Sequence, residues 1–164
     1  MTDDLVIAAL NDFQALWLTI WAEARAELVE GQIAVACVIR NRVLADLGDD
    51  DKPDWWGEGY RGVCLKPSQF SCWNPGTDRN HLAVMSLARI EIGDYAERSA
   101  LPRDPVVEQV KWVAEGVVGD MVLDRTSGAT HYLTRALFYS RNVPNWARGR
   151  QLLAAIGNHV FLKV

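Results

Sequence analysis

The chain has 164 residues, 49% hydrophobic and 23% charged, with a formal net charge of −4. This composition predicts a single folded domain over 1–164 and excludes a disordered or fibrous chain. Its 17 Lys and Arg form no block, which leaves out the cationic footprint of a nucleic-acid binder, and three cysteines, an odd number, argue against a disulfide framework.

The chain opens Met1-Thr2-Asp3-Asp4, acidic where an export signal is basic, and its first apolar stretch is broken by Asn11, Asp12 and Gln14. Neither a signal peptide nor a membrane span is expected. Leu5, Ala9, Phe13, Leu16, Ile20 and Ala24 recur at three- and four-residue steps, which predicts one long first helix, capped by Asp3 or Asp4 and ending just past Glu23. A second helix, from about Glu30 to Leu44, is apolar almost all round between Ile33 and Ile39 and belongs in the centre of the domain, with Cys37 as packing.

From Gly48 to Gly76 the chain is rich in Gly, Pro, Asp and Trp and has no helical period. It reads as a long ordered excursion, a kind of segment that is usually functional. The nearby Asp46, Asp49, Asp50, Asp51 and Asp54 lack the alternating ligands, central Gly and closing Glu of a calcium loop and read as solvated. Cys64 and Cys72 are close enough in sequence to close a small loop in an oxidising compartment, but buried free thiols are the simpler reading. Trp55, Trp56, Trp73 and Trp112 read as packing or rim residues.

A third helix is predicted over about Asp78 to Glu97. A fourth starts with Asp104 as cap and Pro105 at its first position, carries Val106, Val110, Val113 and Val117 on one face, and stops at Gly119. Ala129–Leu133 and Ile156–Leu162 read as strands. Buried helices with a few short strands give an α+β domain.

The chemistry concentrates in Trp21-Ala22-Glu23-Ala24-Arg25-Ala26-Glu27, which sets one carboxylate into an apolar helix end. Burial disfavours the charged form, so Glu23 should keep its proton to higher pH than a solvated glutamate and suit general acid catalysis. Glu27 lies one turn on, with Cβ atoms roughly 5–6 Å apart if both residues are helical. Two neighbours on one helix face cannot flank a sugar ring from opposite sides as paired glycosidase carboxylates do. Pairing with an arginine, or capping the next helix's first amides, is the plainer role for Glu27, and its charge would also favour a protonated Glu23.

Glu23-Ala24-Arg25-Ala26-Glu27, then Gly31-Gln32-Ile33-Ala34-Val35-Ala36 and Asn41-Arg42-Val43, resemble in order the motifs of the SleB-like cell wall hydrolases. The resemblance continues through Gln69-Phe70-Ser71, Gly128-Ala129-Thr130-His131-Tyr132, Pro144-Asn145-Trp146-Ala147 and Gly157-Asn158-His159-Val160-Phe161, nearly the whole chain. Ala26 stands where the family usually has Gly, and no separate wall-binding module is expected.

The resemblance implies a lysozyme-like fold, mainly helical with a small antiparallel sheet, acting on peptidoglycan strands between N-acetylmuramic acid and N-acetylglucosamine. Glu23 matches the family's proton-donating Glu. The family's similarity to lytic transglycosylases implies a 1,6-anhydro product, formed by the muramic acid's own C6 hydroxyl with a single protein carboxylate. Within the motifs, Glu27, Gln69, Phe70, Ser71, His131, Tyr132 and Trp146 are the candidate glycan contacts, since sugar faces need flat apolar surfaces and N-acetyl groups need amides or hydroxyls. No metal or other cofactor, no nucleic acid and no stable membrane association are expected, and the protein should act as a monomer. With no export signal, the resemblance suggests a phage or prophage endolysin, made in the cytoplasm and released to the wall. The acidic net charge leaves attraction to an anionic wall to local patches.

The rival enzyme is a zinc amidase using His81, His131, His159 and a cysteine. No two of these histidines stand at short ligand spacing and there is no His-Glu-x-x-His. A non-catalytic wall-binding module would leave a buried carboxylate without a task.

Overall fold

A computed structural model describes residues 1–45, 55–76, 78–94 and 104–164. The acidic run Asp46 to Asp54 and the stretch predicted to end the third helix, up to Glu97, lie outside these residues.

The chain enters through α1 (Asp3–Ala9) and α2 (Asp12–Ala24), which meet at 120°. The expected single long helix is therefore two. Leu10 turns extended, and Asn11 with Gln14 forms a reciprocal cap: Gln14 N donates to Asn11 Oδ1 at 2.8 Å and Asn11 N donates to Gln14 Oε1 at 3.0 Å. That pair satisfies two helix-start amides at once and restarts the helix in a new direction. Neither Asp3 nor Asp4 caps α1, whose cap position is Thr2.

After a corner over residues 25–28 comes α3 (Val29–Leu44), as predicted. It is buried almost all round, but it shares the centre with α2, which packs against α3, α4, α5 and α6. Here α4 (Gly59–Leu65) and a 3₁₀ turn (Ser71–Trp73) lie inside the excursion read as non-helical; seven residues of helix are too short to show a period. Next come α5 (His81–Glu91) and α6 (Pro105–Val118), the latter capped by Asp104, whose Oδ1 accepts from Val106 N at 2.9 Å. Gly119 is the C-cap, although the left-handed residue there is Asp120, at φ 53°.

The sheet is small and antiparallel in the order β1-β3-β2, with β1 (His131–Thr134), β2 (Leu152–Ile156) and β3 (His159–Leu162), and a short α7 (Arg135–Phe138) follows β1. The stretch from Ile156 to Leu162 is thus a hairpin end and not one strand: the chain reverses at Gly157-Asn158, with Gly157 at φ 56°. Phe161 and Ala129 pack the sheet onto Ala34 and Val38 of α3. Cys37, Cys64 and Cys72 are free and buried, and burial pushes the Cys64 thiol up to about 12. Among the described residues no single helix is long and apolar enough to cross a membrane. The result is the expected α+β architecture, mainly helical.

Candidate active site

Glu23 is the second-last residue of α2, half-buried between Ala22 and Ala24, which face the core. Tyr132 of β1 donates its hydroxyl to Glu23 Oε2 at 2.7 Å. Burial raises the proton affinity of Glu23; the Tyr132 hydrogen bond opposes this, the charge of Asp78 adds to it, and Arg42 opposes it. Desolvation wins, so the carboxyl titrates above its ordinary range, as a general acid requires.

Asn41 and Arg42, adjacent on α3, tie that helix to the chain entering β1. Asn41 Nδ2 donates to the Ala129 carbonyl at 2.9 Å, and Arg42 Nε donates to that of Thr130 at 2.7 Å. Arg42 Nη1 also donates to Gln69 Oε1 at 2.7 Å, and Gln69 Nε2 to the Trp56 carbonyl. A charged donor on a half-buried amide holds the Gln69–Phe70 segment against the site.

Glu23 and Tyr132 line two adjoining clefts. One, of about 520 Å³, is aromatic, walled by Trp55, Trp56, Phe70, His131 and Trp146. His131 sits in a row between Trp56 and Trp146, with ring centroids 6.3 Å and 5.2 Å away. Burial, with the Arg42 and Arg150 charges, pulls His131 down to about 4, so it is a neutral ring at physiological pH. The other cleft, of about 370 Å³, is polar, with Arg25, Ser71, Asp78, Arg79, Asn80 and Thr134 on its walls. Ser71 Oγ donates to Asp78 Oδ2 at 2.6 Å and Asn80 N to Oδ1 at 2.7 Å. Burial works to raise Asp78, but those hydrogen bonds, with Arg79 and Arg25, hold it below its usual range. A flat aromatic floor and a polar arm meet at one carboxyl held above its ordinary titration range, an arrangement able to seat sugars on either side of it.

Of the sequence-predicted site residues, Glu23, Gln69, Phe70, His131, Tyr132 and Trp146 come together at the aromatic cleft, and Ser71 lies in the polar one. Glu27 lines neither. Its carboxylate accepts from Asn158 N at 3.0 Å and from Asn158 Nδ2 at 3.1 Å, and its side chain is 7% exposed. Among the described residues it pairs with no arginine and caps no amide of α3; the β2–β3 turn occupies it. The sequence reading missed Trp55, Trp56 and Asp78. A Trp pair beside a turn and an Asp before Asn80 look like ordinary rim and cap residues until the fold turns them toward Glu23. His81, His131 and His159 form no ligand cluster with each other or a cysteine among the described residues: His81 faces Asp3 and the Cys72 carbonyl, His131 the tryptophans, His159 the Glu27 carboxylate.

A family model described as Cell Wall Hydrolase matches residues 26–162, beginning just past Glu23. The fold is similar to the catalytic domain of the germination-specific lytic transglycosylase SleB from Bacillus anthracis, at TM-score 0.58 and 23% identity over 94% of this chain and 96% of that one. It is also similar to the catalytic domain of the Bacillus cereus SleB protein, at TM-score 0.54 and 23% identity over 93% of this chain and 89% of that one. No curated protein matches the chain in sequence.

Proposed function

Because the chain belongs to the cell wall hydrolase family, we propose that it cuts peptidoglycan between N-acetylmuramic acid and N-acetylglucosamine as a lytic transglycosylase. The observation that carries this reading is the desolvated carboxyl of Glu23, held by Tyr132 where the aromatic and polar clefts meet. Tyr132 occupies Oε2, which leaves Oε1 to carry the proton toward the glycan.

Glu23 protonates the bridging oxygen as the bond from muramic C1 to that oxygen breaks. Positive charge develops at C1, and the same sugar's C6 hydroxyl closes on it, forming a 1,6-anhydro ring and returning its proton to Glu23. No water enters the products and no second protein base is required. Two features favour this over hydrolysis. Glu27 is engaged at the β2–β3 turn, and Asp78 has both oxygens committed to Ser71 and Asn80, so neither stands free to activate water. One of the similar solved domains is, by its own description, a lytic transglycosylase, which agrees with this reading.

Mass spectrometry of fragments released from purified peptidoglycan, with Glu23→Gln as control, tests the proposal. Anhydromuramyl ends that disappear in the control are expected. Reducing muramic ends would overturn the intramolecular step and point to Asp78 as base; glycans stripped of intact peptides would overturn the glycosidase reading altogether.

A further inference from the structure

Glu27, Gly157, Asn158 and His159 take no part in the chemistry above, yet they form a continuous path to it. The Glu27 carboxylate grips the β2–β3 turn through the Asn158 amide and side chain. The fit is close enough that a Cβ on Gly157 would lie 2.2 Å from Glu27 Oε2. The first residue past that turn is His159, buried, with Nδ1 3.5 Å from Glu27 Oε1 and no hydrogen-bond partner there among the described residues. Tyr132 pairs with Phe161 and Thr134 with His159, so Tyr132 and His159 are diagonal neighbours on one face of the β1–β3 pair. Their rings meet edge to face, 5.3 Å apart at 88°. Tyr132 then donates to Glu23.

We infer that His159, set by the grip of Glu27 on the Gly157-Asn158 turn, is a positioning residue that braces the Tyr132 ring so that its hydroxyl stays on Glu23 Oε2. The inference rests on the reading of Glu23 as the acid. A phenol on a four-residue strand has two side-chain torsions to fix, and an edge-to-face neighbour restricts them without adding a charge beside the carboxyl. Burial lowers the proton affinity of His159, against the pull of Glu27, and so favours an uncharged ring. The charged and titratable groups around Glu23 are Arg42 from α3, Cys64 from α4, Cys72 from the 3₁₀ turn, Asp78 from the loop before α5 and Tyr132 from β1, with Arg25 and Arg79 across the polar cleft, which His159 also lines. Changing His159 leaves the chemical identity of all of these intact and acts on Glu23 through the placement of Tyr132.

The test compares His159→Ala, His159→Phe and Tyr132→Phe, singly and with His159→Ala combined with Tyr132→Phe. Carbon-13 NMR of the Glu23 carboxyl reads its titration in the folded protein, independently of which bond the enzyme cuts, and kcat is measured alongside. His159→Ala is expected to lose about fivefold in kcat at unchanged KM, the worth of one hydrogen bond, and to move the Glu23 titration upward as Tyr132→Phe does. His159→Phe keeps a ring in place and should recover most of that loss. The double variant should lose no more than Tyr132→Phe alone. A Glu23 titration unmoved in His159→Ala, or losses that multiply in the double variant, would overturn the brace even if Glu23 proves to be the acid.

Discussion

Glu23 and Glu27 are the same residue type, four positions apart, one in the last turn of α2 and the other in the corner that follows it, and the fold gives them different surroundings. Glu23 is half-buried, has one side-chain hydrogen bond, and lies open to two clefts. Glu27, its side chain 7% exposed, holds two hydrogen bonds from a single turn residue. A carboxylate short of donors in a desolvated place holds its proton, whereas one supplied with a backbone amide and a side-chain amide becomes a strut. Surroundings and not spacing separate the proposed acid from the anchor, and the difference can be attacked from either side.

The largest effect belongs to the acid. Removing a general acid costs about 10²–10⁴-fold in rate, so Glu23→Gln should lose that much lytic activity while folding normally. It should also gain stability in a defined pH window. The folded-state proton affinity of Glu23 is raised, so its stabilising contribution is complete at low pH and is lost as pH rises through its folded titration. Gln carries no such dependence. Melting curves of the two proteins should coincide in acid and separate in favour of Glu23→Gln toward neutral pH; a variant less stable than wild type at pH 7 would contradict the desolvated site.

On the anchor's side the sensitive position is Gly157. A methyl there meets Glu27 Oε2 at 2.2 Å on a backbone already at φ 56°, and the nearest way out is to break the hydrogen bonds to Asn158. Gly157→Ala should cost about 1–3 kcal/mol, typical of strain at a left-handed position, read as a fall in melting temperature. Combining it with Glu27→Ala should recover part of that loss because the clashing oxygen is gone. If the two losses simply add, the contact is not what makes glycine necessary.

The desolvation of Glu23 was legible in the sequence because its signal is local: a lone carboxylate within Trp21-Ala22-Glu23-Ala24 has apolar neighbours on both sides whatever the rest of the chain does. So was α6, whose Asp104-Pro105 start is a purely local signal. The break at Asn11 was not read, although Asn11 and Gln14 stand at capping-box spacing, because the apolar rhythm of the first helix runs through the break and hides the bend. The Gly157-Asn158 reversal was hidden likewise by apolar residues on both sides. The role of Glu27 was beyond local reading: its partner is 131 residues away, and only the closed sheet brings the two together. Trp55, Trp56 and Asp78 reach the clefts through the same long-range closure.

The smallest effect tests how finely the acid is tuned. The Tyr132 hydroxyl stabilises the ionised form of Glu23, so it works against the burial that raises the titration of Glu23. Tyr132→Phe deletes that donor, leaves the ring packed against His159 and Phe161, and should move the Glu23 titration further upward. The alkaline limb of kcat/KM then shifts to higher pH, while the rate at the optimum falls by only about fivefold, the worth of one hydrogen bond that also orients the carboxyl. A limb that moves to lower pH would mean that Tyr132 serves the protonated acid instead, and Glu23 would owe its elevated titration to its partner as well as to its place in the core.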